Sequence, residues 1–297
     1  MGGNRNELRN ATVKTTIGDM QNLVARHPVV SFVILNYFFT FLFRVPLAAS
    51  AAKVIPVAVT RGFQFLGDYG PLVAALLLTG LLEGREGIKS LCCRVVQWRV
   101  GAGWYLIALL GTPALFSMAA IIGIFLIGAP APDLRLLGHW EELPGLHPAA
   151  TWIFLIFTIG LGEEVGWRGF MLSKLQTKSS AFNASLLVGL AWTFWHLPNF
   201  IFDPQFAAWG LAIRLGFGFM LICMAVFYAW LYNSTRGSLL IPILFHGTND
   251  FIMGSQGAQD PIVIPLLWAI LFIGATIAIV SVFGPRTLSS TRSVAVS

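Results

Sequence analysis

Long apolar runs constrain this chain more than any other feature it carries. A helix needs about 20 apolar residues to cross about 30 Å of hydrocarbon, and backbone polar groups in lipid must be satisfied within their own segment. Each long run therefore reads as one helix. Eight can be drawn, at residues 29–47, 69–82, 103–128, 150–172, 181–202, 209–232, 238–253 and 261–283. A closed barrel would instead need segments of roughly ten residues that alternate apolar and polar, and nothing here alternates in that way. Of the 297 residues 56% are hydrophobic and 11% charged, against about 25% charged in a typical soluble domain. The expected fold class is all-α: a polytopic integral membrane bundle of about eight transmembrane helices. This excludes nucleic-acid binders, disordered chains and cytosolic enzymes.

The second run is short, and residues 51–66, with Lys53 and Arg61 among apolar neighbours, read as an interfacial stretch. Cytoplasmic loops retain Lys and Arg. An internal N-terminus places Arg5, Arg9, Lys14, Arg26, Arg85, Lys89, Arg94, Arg99, Arg168, Lys174, Lys178, Arg236, Arg286 and Arg292 on the cytoplasmic side, and leaves Arg44, Lys53, Arg61, Arg135 and Arg214 over. The organisation that follows is a cytoplasmic N-terminal segment (1–28), a helical bundle (29–283) and a cytoplasmic tail (284–297). The net charge of +6 then belongs to loops facing anionic headgroups and requires no nucleic-acid partner. The first run reads as a retained span and not as a cleaved leader, because 28 residues precede it and Arg44 interrupts the approach to a cleavage site. Cys92, Cys93 and Cys223 fit neither a zinc ribbon nor a disulfide framework. The first two fall in an expected cytoplasmic loop, where thiols stay reduced.

Ionisable residues at membrane depth are costly, and so are functional candidates. Here they concentrate in three runs: Glu163, Glu164 and Arg168 in the fourth, His196 in the fifth, and His246 with Asp250 in the seventh. Helical spacing puts Glu164 and Arg168 on one face as an ion pair, while Glu163 points about 100° away and is left for chemistry as a general base acting on water. Gly162, Gly166 and Gly169 make a small-residue stripe that admits a neighbouring helix. Pro198 cannot donate to the carbonyl four residues back and loosens the helix beside His196. His246 and Asp250 share a face at i and i+4, so the carboxylate can set the imidazole tautomer or join it at a shared ligand. Asn249 projects from the adjacent face. Glu163, His196 and His246 also match the His, His, Glu set of catalytic zinc sites.

These residues resemble the CPBP intramembrane proteases, which include the type II CAAX prenyl endopeptidases and bacterial homologues tied to bacteriocin processing or self-immunity. Glu163, Glu164 and Arg168 reproduce E-E-x-x-x-R, His196 the histidine of F-x-x-x-H with Trp192 in the aromatic place, and His246 with Asp250 the H-x-x-x-N/D motif. The resemblance covers residues 150–253. It implies an endopeptidase cutting a peptide or lipidated peptide near the membrane surface, with water activated by Glu163, His196 and His246 completing the site, and Asp250 assisting the oxyanion. Glu164 and Arg168 would support them. An ionised Asp250 would repel an oxyanion, so it is protonated, orients His246, or leaves the donor role to Asn249. The family's label of metalloprotease implies zinc on Glu163, His196 and His246, whose bound water would have a lowered pKa. A metal-free mechanism uses the same residues with Glu163 as base, and H-E-x-x-H is absent. The competing readings are a non-catalytic immunity or scaffold protein and a transporter using the same buried charges.

Overall fold

The computed structural model describes residue 18 and residues 21–259 and 261–289. Arg5, Arg9, Lys14 and Arg292, placed above at the cytoplasmic ends, lie outside them. The described residues contain helices and no strand. The principal helices are α1 (Pro28–Ala51), α2 (Gly70–Val95), α3 (Ala102–Ile127), α4 (Pro148–Gln176), α5 (Ala181–Trp195), α6 (Leu211–Ser234), α7 (Leu240–Met253) and α8 (Val263–Phe283). Seven helices among the described residues, α5 taken with its continuation to Phe202, are long and apolar enough to cross a bilayer. The exception, α7, has 14 residues and a length of about 21 Å; it packs against α3 and α4.

The helices are amphipathic in the sense that lipid demands. On α1, Ile34, Phe38, Leu42 and Val45 face outward, while Asn36, Thr40 and Arg44, at successive fourth positions, are buried. Apolar residues on the rim and polar ones inside are what a helix needs when its solvent is hydrocarbon and its polar groups must find protein partners. α8 presents Ile270, Ile277 and Val282 outward and buries Trp268 and Phe272.

Small residues set the closest crossings. A Cβ on Gly162 would lie 2.6 Å from the Asp68 carbonyl oxygen, and one on Gly166 2.6 Å from that of Pro71. The glycine stripe of α4 therefore receives the start of α2. A Cβ on Gly160 would sit 2.5 Å from the Ile243 carbonyl oxygen, and one on Gly247 2.6 Å from Ile156 Cα, so α4 and α7 touch backbone to backbone beside His246. Two π-helical turns, Ile156–Gly160 and Trp167–Leu172, flank the segment Leu161–Gly166. Such turns widen the helix and re-aim the side chains that follow.

One expectation needs correction. The region after the second run is not a loop: α2 continues to Val95 past a break at Gly84 (φ 65°, ψ −154°), so Cys92 and Cys93 lie on helix, both exposed. Arg168, read at membrane depth as the partner of Glu164, is fully buried, and Arg44 of the first run is buried as well. Hydropathy had separated these positions by run, not by the face each side chain occupies.

At one end of the bundle Lys174 Nζ pairs with Glu83 at 2.6 Å, Arg94 Nη1 bonds the Tyr232 hydroxyl at 2.7 Å, and the Asn233 amide donates to the Thr287 carbonyl at 2.8 Å. At the other, Arg61 binds Glu141 at 2.7 Å, Asp203 at 3.0 Å, and Glu142. Burial raises the Glu142 carboxyl above the usual carboxylate range, against the pull of Arg61.

Candidate active site

The site begins with Glu163, buried on the short helical segment between the two π turns. Its Oε2 accepts from the Trp167 indole at 3.1 Å and the Trp192 indole at 2.6 Å. Trp167 stands four residues on, so Glu163 has a local partner after all, contrary to the expectation that only Glu164 would. Charge-assisted bonds of this kind are about twice as strong as neutral ones, and they offset the cost of a carboxylate in an apolar interior.

Glu164 and Arg168 pair at 2.8 Å, both fully buried, as their spacing predicts. The guanidinium also lies 4.2 Å from the Tyr228 ring centroid and 4.9 Å from that of Trp192. Glu164 Oε1 accepts in addition from His246 Nδ1 at 2.7 Å. Glu164, not Asp250, therefore fixes the His246 ring: Asp250 Oδ2 is 3.7 Å from Nε2, beyond a good hydrogen bond. Asp250 Oδ1 accepts from the Asn249 amide at 3.1 Å, and Asn249 Oδ1 from Thr112 at 3.2 Å. The Asn249 amide is thus held between two neighbours.

His196 caps α5, whose last turn opens at Pro198. The four carbonyls left without helical partners there are each satisfied. His196 Nδ1 bonds the Trp192 oxygen at 2.8 Å, and the His196 amide bonds that of Thr193 at 3.2 Å. The Leu197 amide bonds Phe194 O at 3.2 Å, and Arg44 Nη1 reaches Trp195 O at 3.4 Å. A carbonyl can only accept, so His196 carries its proton on Nδ1, leaving Nε2 as an acceptor when the ring is neutral.

Trp192 joins these pieces. Its N–H holds Glu163, and its ring centroid lies 5.9 Å from His196 and 5.4 Å from His246. The three side chains named from separate helices thus meet around one indole. They are not gathered as a metal-ligating set: among the described residues no three His, Cys, Asp or Glu side chains are placed to hold a metal ion. Glu163 Oε2 and both Nδ1 atoms are held by protein partners, which leaves Glu163 Oε1 and the two Nε2 atoms outside these bonds.

Two charged residues near the site escaped the sequence reading. Arg44 Nη2 pairs with Asp68 at 2.5 Å, with both side chains buried, and the guanidinium lies 3.7 Å from the Trp195 ring centroid. The signal was present: Asn36, Thr40 and Arg44 recur every fourth residue in an otherwise apolar run. Trp192 stood only in the aromatic place of its motif, since nothing in a sequence shows where an indole N–H points.

Residues 145–252 match the family model described as type II CAAX prenyl endopeptidase Rce1-like. The chain is also 33% identical over 185 residues to CAAX prenyl protease 2 of Methanococcus maripaludis, an alignment spanning 61% of this chain and 67% of that relative. The chain belongs to this family of endopeptidases. It is therefore a protease, a multi-pass membrane protein acting on peptide substrates at a bilayer. The matched residues include Glu163, Glu164, Arg168, His196, His246, Asn249 and Asp250, and exclude Arg44 and Asp68.

Proposed function

We propose that Glu163 is the general base of this endopeptidase. It takes a proton from water as the water oxygen attacks the scissile carbonyl carbon, then returns that proton to the amide nitrogen as the C–N bond breaks. The neutral His196 ring accepts the water's second hydrogen at Nε2 and orients it. His246, backed by Glu164 and faced by Asp250, carries a proton on Nε2 and donates it to the developing oxyanion. Glu164 and Arg168 hold that imidazole. In this reading Asp250 faces His246 as a counter-charge, and Asn249, bonded to Thr112 and Asp250, is a structural neighbour. The observation that carries the reading is the Trp192 indole, which bonds the Glu163 carboxylate and touches both imidazoles. No step runs through a metal.

The name of the Methanococcus relative supports a prenylated CAAX peptide as the substrate class. The end of the bundle bearing Arg85, Lys89, Arg94, Lys174 and Lys178 faces the cytoplasm in this reading, since basic residues are retained there.

The test is cleavage of an internally quenched farnesylated CAAX peptide by the full chain in detergent. Wild type cuts it, Glu163→Gln accumulates normally and does not, and exhaustive chelation leaves the wild-type rate unchanged. Cleavage by Glu163→Gln would reject the base, and cleavage by neither protein would reject the substrate class. Activity lost to chelation and restored by zinc would reject the metal-free route.

A further inference from the structure

Between the two halves of the site stands a buried ion pair that the proposed chemistry does not use. Asp68 ends the turn that leads into α2, and its backbone carbonyl abuts Gly162, next to the proposed base: a Cβ on Gly162 would lie 2.6 Å from that oxygen. Its carboxylate binds Arg44 of α1 at 2.5 Å. Arg44 in turn holds the end of α5 in two ways. Its Nη1 supplies the bond to the Trp195 carbonyl, and its guanidinium covers the Trp195 ring at 3.7 Å. One turn earlier in α1, Thr40 receives the Trp195 indole N–H at 2.8 Å and donates to the Gly67 carbonyl at 2.9 Å, beside Asp68. Trp195 then packs edge-on against the His196 ring with centroids 4.9 Å apart, and against Trp167 at 6.3 Å. The path from Gly162 to His196 thus runs through Asp68, Arg44 and Trp195, crossing α1 where Pro198 has opened the last turn of α5.

We propose that Arg44 and Asp68 are positioning residues that set the separation between the Glu163 carboxylate and the His196 imidazole. This rests on the reading of Glu163 and His196 as reacting groups. Neither residue touches the reacting atoms; each acts through a neighbour, Asp68 through Gly162 and Arg44 through Trp195. A planar guanidinium can stack on a ring while donating to two separate acceptors, whereas a lysine ammonium is a compact point charge. Arg44→Lys therefore keeps the charge opposite Asp68 and loses the hold on Trp195.

The experiment compares kcat and KM of wild type, Arg44→Lys and the double variant Arg44→Met/Asp68→Leu on the farnesylated CAAX peptide, with Glu163→Gln alongside. Displacing a reacting group by about 1 Å costs on the order of 100-fold, so both variants should lose about 10- to 100-fold in kcat with KM little changed. Replacing a buried ion pair by apolar residues of similar size is often neutral for folding, so the double variant should accumulate. A wild-type kcat in either variant would overturn the proposal, as would a rise in KM alone. Amide exchange at residues 193–203, which needs no substrate, should rise in Arg44→Lys; unchanged exchange would overturn it equally. Cleavage by Glu163→Gln would instead strike the base assignment, and the exchange result would still report on Arg44.

Discussion

Two indole N–H groups meet one carboxylate oxygen at Glu163, at unequal distances: 2.6 Å from Trp192 and 3.1 Å from Trp167. The difference separates their roles. A hydrogen bond to a buried charge contributes about 1.5–3 kcal/mol, and Trp192 also contacts both imidazoles, whereas Trp167 belongs to Glu163's own helix. Trp192→Phe keeps an aromatic ring in place and removes the N–H. It should lower kcat about tenfold or more, as one such bond implies, with normal accumulation in membranes, and Trp167→Phe should lower it less. Equal losses, or wild-type kcat in both, would mean that the indoles only pack. Residue types and their spacing on each helix were legible in the sequence: the Glu164–Arg168 pair needs nothing beyond helical geometry. The tautomer of His246 was not. The sequence offered Asp250, four residues away on the same helix, while the partner in space is Glu164, on a helix that only the Gly160 and Gly247 crossing brings near.

At the scale of helices, the glycine stripe at 162, 166 and 169 announced a close neighbour but could not say which, since a stripe fixes a face and not what lands on it. The structure puts Asp68 and Pro71 against Gly162 and Gly166, and Leu91 and Leu239 against Gly169. The extent of α2 was equally hidden. Residues 83–89 carry Glu83, Arg85, Glu86 and Lys89, which end a hydropathy run without ending a helix, and only the positive φ of Gly84 marks where the path turns. A substitution series can read the stripe directly. Gly166→Ala would put a Cβ 2.4 Å from Pro71 Cβ and 2.6 Å from its carbonyl oxygen, an overpacking of the kind that costs about 1–3 kcal/mol. Gly216 of α6 has nothing within 4 Å of the same added atom. The thermal midpoint in detergent should fall for Gly166→Ala and hold or rise for Gly216→Ala, because a helical glycine gives up more chain entropy than alanine. If both behaved alike, α4 would not depend on the close approach of α2.

Over the whole molecule, charge separates to two ends with an apolar belt between them. One end holds Lys174 with Glu83 and Arg94 with Tyr232; the other holds Arg61 among Glu141, Glu142 and Asp203. Hydrocarbon enforces this separation on every helix at once, which is why the bundle was readable from eight apolar runs while the buried Arg44, whose partner Asp68 lies on another element, was not. In the proposed reading, sidedness has a function. Glu163 lies ten residues before Ser173 in α4, about 15 Å along a helix, so the leaflet nearest the basic end is the one a substrate would approach. Native thiols can report it. Cys92 and Cys93 are exposed at the far end of α2, and Cys223 is buried in α6. A membrane-impermeant maleimide should label the protein in inverted vesicles but not in intact cells, and Cys92→Ala/Cys93→Ala should abolish that labelling. Labelling from outside intact cells would turn the bundle over and move the proposed site's entrance to the opposite leaflet.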